Sequence, residues 1–406
     1  MRSFDIPYQY QSEFVDTIHK VRQKKDHLKK DFSPSILNFS KCDILIPRHF
    51  GFCFGVKNAI EIVYKILADH PDKRIYLISE IIHNPFVNTD LQSKGVQLIQ
   101  ETNGKQITPW SDISKNDIVI IPAFGTSLSV MDKLKQIGSE LITYDTTCPF
   151  VEKVWNRGDQ LAKDGYTIII HGDFHHEETR ATFSRISQIG KTVVVSNIRE
   201  AQMLKDFMNP RADDRDWKVF FKWKASEGFN FREDFRKIAV VNQTTMLADE
   251  TKAIADYLKD QMIQKHGQNS FADTGDTLCY ATNDNQTAVK ALIDNNPDLA
   301  FVVGGKNSSN TSHLVEMLEQ HCPTYFIQRD QAIDKKGKIE YFDIHHKTES
   351  ETVLNKELLE KSRIAIISGA SCPDTVVEAV VLKILKLLGV EDELNQSVTT
   401  FKERYD

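Results

Sequence analysis

Three cysteines stand where a short apolar strand gives way to a helical pattern: Gly51-Phe52-Cys53-Phe54-Gly55, Asp145-Thr146-Thr147-Cys148-Pro149 and Asp276-Thr277-Leu278-Cys279-Tyr280. Pro149 suits the first turn of a helix, where its missing N–H costs nothing and its φ is already helical. A thiol placed there faces the positive end of the helix dipole, which favours the thiolate that attacks or ligates a metal. One such cysteine reads equally well as a small buried hydrophobe. Three in matching places read as metal ligands. Three thiolates suit a [4Fe-4S] cluster with one iron left for substrate, and a Cys₃ zinc site is the rival. Cys42 and Cys322 lie outside these positions, and Cys372, which follows Ser371, reads as packing. No Cys-x-x-Cys pair occurs, so ligands have to come from distant parts of the fold.

A second group of residues lies in polar turns. His83-Asn84-Pro85, Ala123-Phe124-Gly125-Thr126-Ser127, His175-His176-Glu177-Glu178-Thr179, Asn242-Gln243-Thr244-Thr245, Lys306-Asn307-Ser308-Ser309-Asn310 and Ser368-Gly369-Ala370-Ser371 are rich in His, Ser, Thr, Asn and Gly. They are nearly free of Lys and Arg. Hydroxyls, amides and backbone N–H groups at helix starts make a nest for phosphate without a basic patch. Ser308, Ser309, Asn310 and Ser371 also read as caps of their own helices, a role compatible with phosphate binding, and His83 reads equally as a structural turn residue. The densest turn pairs His175 and His176 with Glu177 and Glu178, a combination suited to proton transfer, although an acidic first turn also suits a solvated helix start.

The elements that position these turns repeat one unit from Asp43 onward: apolar strand, polar or Gly-rich turn, amphipathic helix. Strands alternating with helices of that length predict parallel sheets built from βαβ units. Three sets emerge, each beginning with a cysteine turn and continuing with two polar turns; in this reading the strand before Cys148 opens the second set. The expected fold is α/β with parallel sheets in three sets, and if these pack around a pseudo-threefold axis their turns converge on one centre. The boundaries expected are 54–147, 148–278, and 279–390 with 42–53, preceded by an extension at 1–41 and followed by a tail at 391–406. The extension carries a helical stripe (Phe14, Ile18, Val21) expected to pack on the body. Charge-rich stretches at 205–236 and 334–361 read as surface insertions.

Composition bounds the function. A chain of 406 residues with 27% charged and 40% hydrophobic residues is an ordinary globular protein of about two to three domains. The net charge of −6 offers no electrostatic footprint for nucleic acid. No apolar run approaches a membrane span, so no membrane partner is expected. Six scattered cysteines without a secretory context argue against a disulfide framework. Acidic residues in the first forty positions argue against a transit peptide, which makes the cytoplasm the expected compartment and the plastid stroma the alternative.

Together these motifs, in this order, resemble the LytB family of 4-hydroxy-3-methylbut-2-enyl diphosphate reductases over residues 42–390. The resemblance implies three parallel-sheet α/β domains in pseudo-threefold arrangement around a central iron-sulfur cluster, a [4Fe-4S] cluster held by Cys53, Cys148 and Cys279. It implies a small-molecule allylic diphosphate bound by His83, His176, Ser308, Ser309, Asn310 and Ser371, with Thr244 and Glu178 beside its terminal hydroxyl. Glu178 would donate a proton through Thr244, and ferredoxin or flavodoxin would supply electrons. Family members often carry another histidine where this chain has Phe124; the Phe form resembles the plant and cyanobacterial branch. The alternatives are another three-cysteine iron-sulfur dehydratase, similar to quinolinate synthase, and a non-catalytic iron-sulfur sensor.

Overall fold

The strand runs Ile118–Ile121, Thr167–His171 and Leu299–Val303 are buried along their whole length, as parallel strands covered on both faces must be. A computed structural model describes residues 4–138, 141–209, 212–275, 277–354 and 359–405. Asp276, the first residue of the third cysteine turn, lies outside them. The chain forms two units: Met1–Lys57 with His83–Val87 and Tyr280–Asp406, and Asn58–Ile82 with Asn88–Cys279.

The first unit contains a sheet in the lateral order Thr324–Ile327, Leu299–Val303, Arg363–Ser368, Asp43–Ile46, Ser35–Asn38. All neighbours are parallel except the last pair. The second unit contains two parallel sheets. One runs Gln97–Leu98, Ile75–Leu77, Ile118–Ile121, Ile142–Asp145; the other runs Thr192–Val195, Thr167–His171, Ile238–Asn242, Phe271–Ala272. Numbered along the chain, both have the order 2-1-3-4. The first unit's sheet has it too when Asp43–Ile46, from the start of the chain, is counted as strand 4. In such sheets ligands gather at the carboxyl ends of the strands flanking the switch point, here strands 1 and 3.

This pairing corrects the expected sets. Ile142–Asp145 pairs with Ile118–Ile121 and closes the first repeat rather than opening the second. The cysteine therefore follows strand 4 in every repeat. Sequence order alone cannot distinguish a strand that ends one sheet from a strand that begins the next.

The segment expected as an extension is partly built into the sheet, since Ser35–Asn38 adds an antiparallel edge strand. Its helix, Glu13–Lys25, is capped by Ser12, whose Oγ accepts from the Val15 N–H at 3.0 Å. Phe14, Ile18 and Val21 join the first unit's core, as their spacing predicts. The stretch 205–236 is more than a surface insertion. Phe207, Trp217, Phe221, Phe231 and Phe235 pack with Ile169, Val193 and Val240 in one core cluster, and their irregular spacing concealed this in the sequence. In the stretch 334–361, Lys338–Asp343 and Thr348–Val353 form an antiparallel hairpin. Among the described residues no helix is long and apolar enough to cross a membrane.

Candidate active site

In the second unit, His171 and Asn242 are paired at the ends of adjacent strands 1 and 3. The turn after strand 1 starts the helix Glu177–Ile186 with His176 as its N-cap. His176 Nδ1 accepts from the Glu178 N–H at 3.2 Å, so the ring proton sits on Nε2. Glu178 is 1% exposed. Its Oε1 accepts from the backbone N–H of Thr244 at 2.6 Å and its Oε2 from the Thr244 hydroxyl at 2.8 Å. The Thr244 carbonyl in turn accepts the N–H of Cys279 at 3.2 Å. Behind Glu178, Thr179 Oγ1 donates to Gln243 Oε1 at 2.9 Å and leaves no room for a side chain at Gly172, where a Cβ would stand 2.6 Å from it.

The first unit repeats this wiring. Val303 and Ser368 are paired at the ends of its strands 1 and 3. Ser308 caps the helix Ser309–Leu318, its Oγ accepting from the Thr311 N–H at 3.3 Å and the Thr311 hydroxyl at 2.8 Å. Asn310 Oδ1 accepts from the Ala370 N–H at 3.1 Å, and the Ala370 carbonyl accepts the N–H of Cys53 at 3.1 Å. Thr311 lies against Gly304 and Gly369 as Thr179 lies against Gly172. The Ser371 hydroxyl donates to the His83 carbonyl at 3.2 Å, against which Gly305 also packs.

Glu178–Thr244–Cys279 and Asn310–Ala370–Cys53 are thus one device used twice. A side-chain oxygen from the strand 1 turn holds the N–H of a residue in the strand 3 turn, and that residue's carbonyl holds the cysteine N–H. The remaining repeat keeps the second link, Cys148 N–H to the Ala123 carbonyl at 2.9 Å, while the Ala123 N–H donates to the Ile81 backbone carbonyl at 3.3 Å. Sequence reading missed the link through Ala370 and the threonines behind it. The signal was present in the equal seven-residue spacing from Gly172 to Thr179 and from Gly304 to Thr311.

All six cysteines are free thiols. Cys148 is the N-cap of Pro149–Lys163, and Cys53 and Cys279 immediately precede Phe54–Asp69 and Tyr280–Ile293. Burial raises the pKa of the Cys53 thiol, opposed by the N–H groups of Val56 and Gly55. For the metal-free thiol, desolvation therefore outweighs the helix-start effect expected from sequence. Cys42, Cys322 and Cys372 belong to the first unit's hydrophobic core, the packing role expected for Cys372. Cys53, His83, Ser308, Ser309, Asn310 and Ser371 lie in the first unit; Cys148, Cys279, His176, Glu178 and Thr244 lie in the second. Among the described residues, no three His, Cys, Asp or Glu side chains are gathered into a group that would hold a metal ion.

Phe124 occupies the strand 3 turn of its repeat. Its ring meets His176 edge to face, with centroids 5.8 Å apart and an interplanar angle of 83°. The aromatic contact buttresses the cap of the helix that carries Glu178.

Three 2-1-3-4 sheets, each closed by a strand leading to a free cysteine, with an acid and hydroxyl-rich turns at their switch points, define a class of cysteine-bearing α/β proteins built by internal repetition. The chain belongs to the LytB protein family, whose model matches residues 44–385. It is 35% identical over 390 residues to the 4-hydroxy-3-methylbut-2-enyl diphosphate reductase of Trichormus variabilis, covering 94% of this chain and 92% of that one. The chloroplastic enzyme of that name from Botryococcus braunii is 36% identical, with 86% and 70% covered. Among solved structures, the E-1-hydroxy-2-methyl-but-2-enyl-4-diphosphate reductase of Plasmodium falciparum superposes with a TM-score of 0.60 at 25% identity, over 85% of this chain and 87% of that one. These relatives are all named reductases of a hydroxy-methylbutenyl diphosphate, and none is named a quinolinate synthase or a sensor.

Proposed function

We propose that this chain reduces (E)-4-hydroxy-3-methylbut-2-enyl diphosphate. Two electrons and two protons break the terminal C–O bond, the hydroxyl leaves as water, and isopentenyl and dimethylallyl diphosphates result. The observation that carries the reading is the buried chain from Glu178 through Thr244 to Cys279, which sets an acid and a hydroxyl one peptide link from a free thiol. In this reading Glu178 passes its proton from Oε2 to Thr244 Oγ1, and Thr244 passes its own to the departing hydroxyl.

Several side chains retain hydrogen-bond donors suited to a diphosphate. Ser308 Oγ accepts both of its internal bonds, leaving its O–H to donate. Asn310 uses Oδ1 internally and keeps its amide N–H groups, and His176 holds the N-cap position that Ser308 holds in its own repeat. With His83, Ser309 and Ser371 they are assigned to the diphosphate.

Three soft thiolate donors, each fixed by a backbone hydrogen bond at a helix start, fit an iron-sulfur cluster better than a hard cation. Cys53, Cys148 and Cys279 would hold a [4Fe-4S] cluster. Such a group supplies electrons and a Lewis-acidic iron for the leaving oxygen. We assign the electron supply to ferredoxin or flavodoxin, and the compartment to the cytoplasm, with the plastid stroma as the alternative raised by the chloroplastic relative.

The test is anaerobic purification followed by an assay for hydroxyl loss from the allylic diphosphate. A brown, active protein is expected, and Cys53→Ser, Cys148→Ser or Cys279→Ser should each remove bound iron while Cys372→Ser retains it. A colourless, zinc-containing, inactive protein would overturn the proposal.

A further inference from the structure

Within the second unit, the face of the helix Glu177–Ile186 that carries Glu177, Arg180 and Ala181 lines a cavity of about 290 Å³. Glu178 is turned to Thr244 and does not line this cavity. The walls include Ser79, Thr126, Ser127, Lys133, Glu177 and Arg180. Ser79 is 2% exposed, and its Oγ has no hydrogen-bond partner among the described residues. A buried hydroxyl without a partner is costly, and its natural remedy is a ligand or water in the space it lines. Ser127, the N-cap of Leu128–Ile137, does not use its side chain to cap that helix; its hydroxyl meets that of Ser129 at 2.9 Å. Lys133 is one turn further along, with its ammonium 5.4 Å from the Trp110 ring centroid and no ion pair among the described residues. Arg180 is anchored by donating to the carbonyls of His175 at 3.1 Å and Thr102 at 2.7 Å. Glu177 is the one carboxylate on the wall, and its charge acts on Arg180. Among the described residues of the wall, Lys133 is left as the cation without an ion pair.

We propose that this cavity is a second anion site, distinct from the residues assigned to substrate, and that it takes the phosphoryl group of a small molecule. Lys133 and Arg180 supply the charge, and Ser79, Ser127 and Thr126 supply hydroxyl donors. Arg180 also holds the carbonyl of His175, beside the His176 cap, so an occupant bears on the turn that carries Glu178.

The probe is inorganic phosphate, titrated calorimetrically and by ³¹P line broadening into the anaerobically prepared full chain. The parent should show two classes of site. Lys133→Glu, at an exposed position, and Ser79→Ala should each weaken one class by about tenfold or more, the scale of losing a charge-assisted hydrogen bond, and leave the other unchanged. A double variant, Ser308→Ala with Ser371→Ala, should spare the class that Lys133→Glu removes. Thermal unfolding of each variant shows whether it remains folded, and Lys133→Glu alone suffices if Ser79→Ala does not. Phosphate binding indifferent to Lys133→Glu, or abolished entirely by the Ser308/Ser371 double variant, would overturn the proposal.

Discussion

Both carboxylate oxygens of Glu178 are engaged by one residue, Thr244: its backbone N–H at 2.6 Å and its hydroxyl at 2.8 Å. Glu178→Gln preserves the shape and the acceptor for the N–H but removes the acid. Turnover should fall by about 10²–10⁴, the usual scale for a general acid, with iron content and unfolding temperature near those of the parent. Near-normal turnover in an anaerobic assay would remove Glu178 from the reaction.

Asn310 is the counterpart of Glu178 in the first unit. Asn310→Asp keeps an oxygen for the Ala370 N–H, whereas Asn310→Leu leaves that N–H without its partner. The leucine variant should lose about 1–3 kcal/mol of stability and bind iron more weakly through the displaced Cys53 turn. The aspartate variant should keep its stability but bind the diphosphate poorly. Denaturant unfolding, iron analysis and substrate KM separate the two.

Gly125 has φ +76°, and a Cβ there would stand 2.4 Å from Cη2 and 2.5 Å from Cζ2 of the buried Trp155 ring. Gly125→Ala therefore combines backbone strain with overpacking and should cost about 2–4 kcal/mol, read as a lower denaturant midpoint. A midpoint equal to the parent's would show that the ring yields freely.

His19 gives the fold a pH dependence. Burial, followed by the charges of Lys29, Arg48 and Lys57, lowers its pKa from 6.5 to about 3. The unfolded chain binds this proton more readily, so the stability is present above pH 6.5 and is lost as pH falls towards 3. At pH 5 the loss from this one group should be about 1–2 kcal/mol, discounted for its partial exposure. His19→Phe should flatten the stability profile between pH 7 and 5; an unchanged slope would assign the acid sensitivity elsewhere.

The fold class was legible because buried parallel strands read as continuous apolar runs, as in Ile118–Ile121, and because polar turns punctuate them at regular intervals. His83, His176, Glu178, Thr244, Ser308 and Ser371 stand on strand 1 and strand 3 turns, where their place in the repeat predicted a site. Lateral order was not legible. Nothing local in Ile142–Asp145 says which neighbour it pairs with, and the backbone link from Ala370 to Cys53 joins residues of no distinctive type. The aromatic cluster around Trp217 was hidden for a related reason: its members come from loops and short helices with no common period.

The strand Asp43–Ile46 has a consequence for how the protein is made. It leaves the ribosome long before its parallel partner, Arg363–Ser368, which is made about 320 residues later. At about 5–20 residues per second, its wait for that partner lasts on the order of tens of seconds. Cys53 shares the delay, because the Ala370 carbonyl that fixes its N–H arrives later still. The second unit carries Cys148 and Cys279 and can pair all its strands before synthesis ends. A nascent chain thus offers two thiols on a formed scaffold while the third remains unanchored, and premature release or truncation near the carboxyl terminus leaves Cys53 without its backbone anchor.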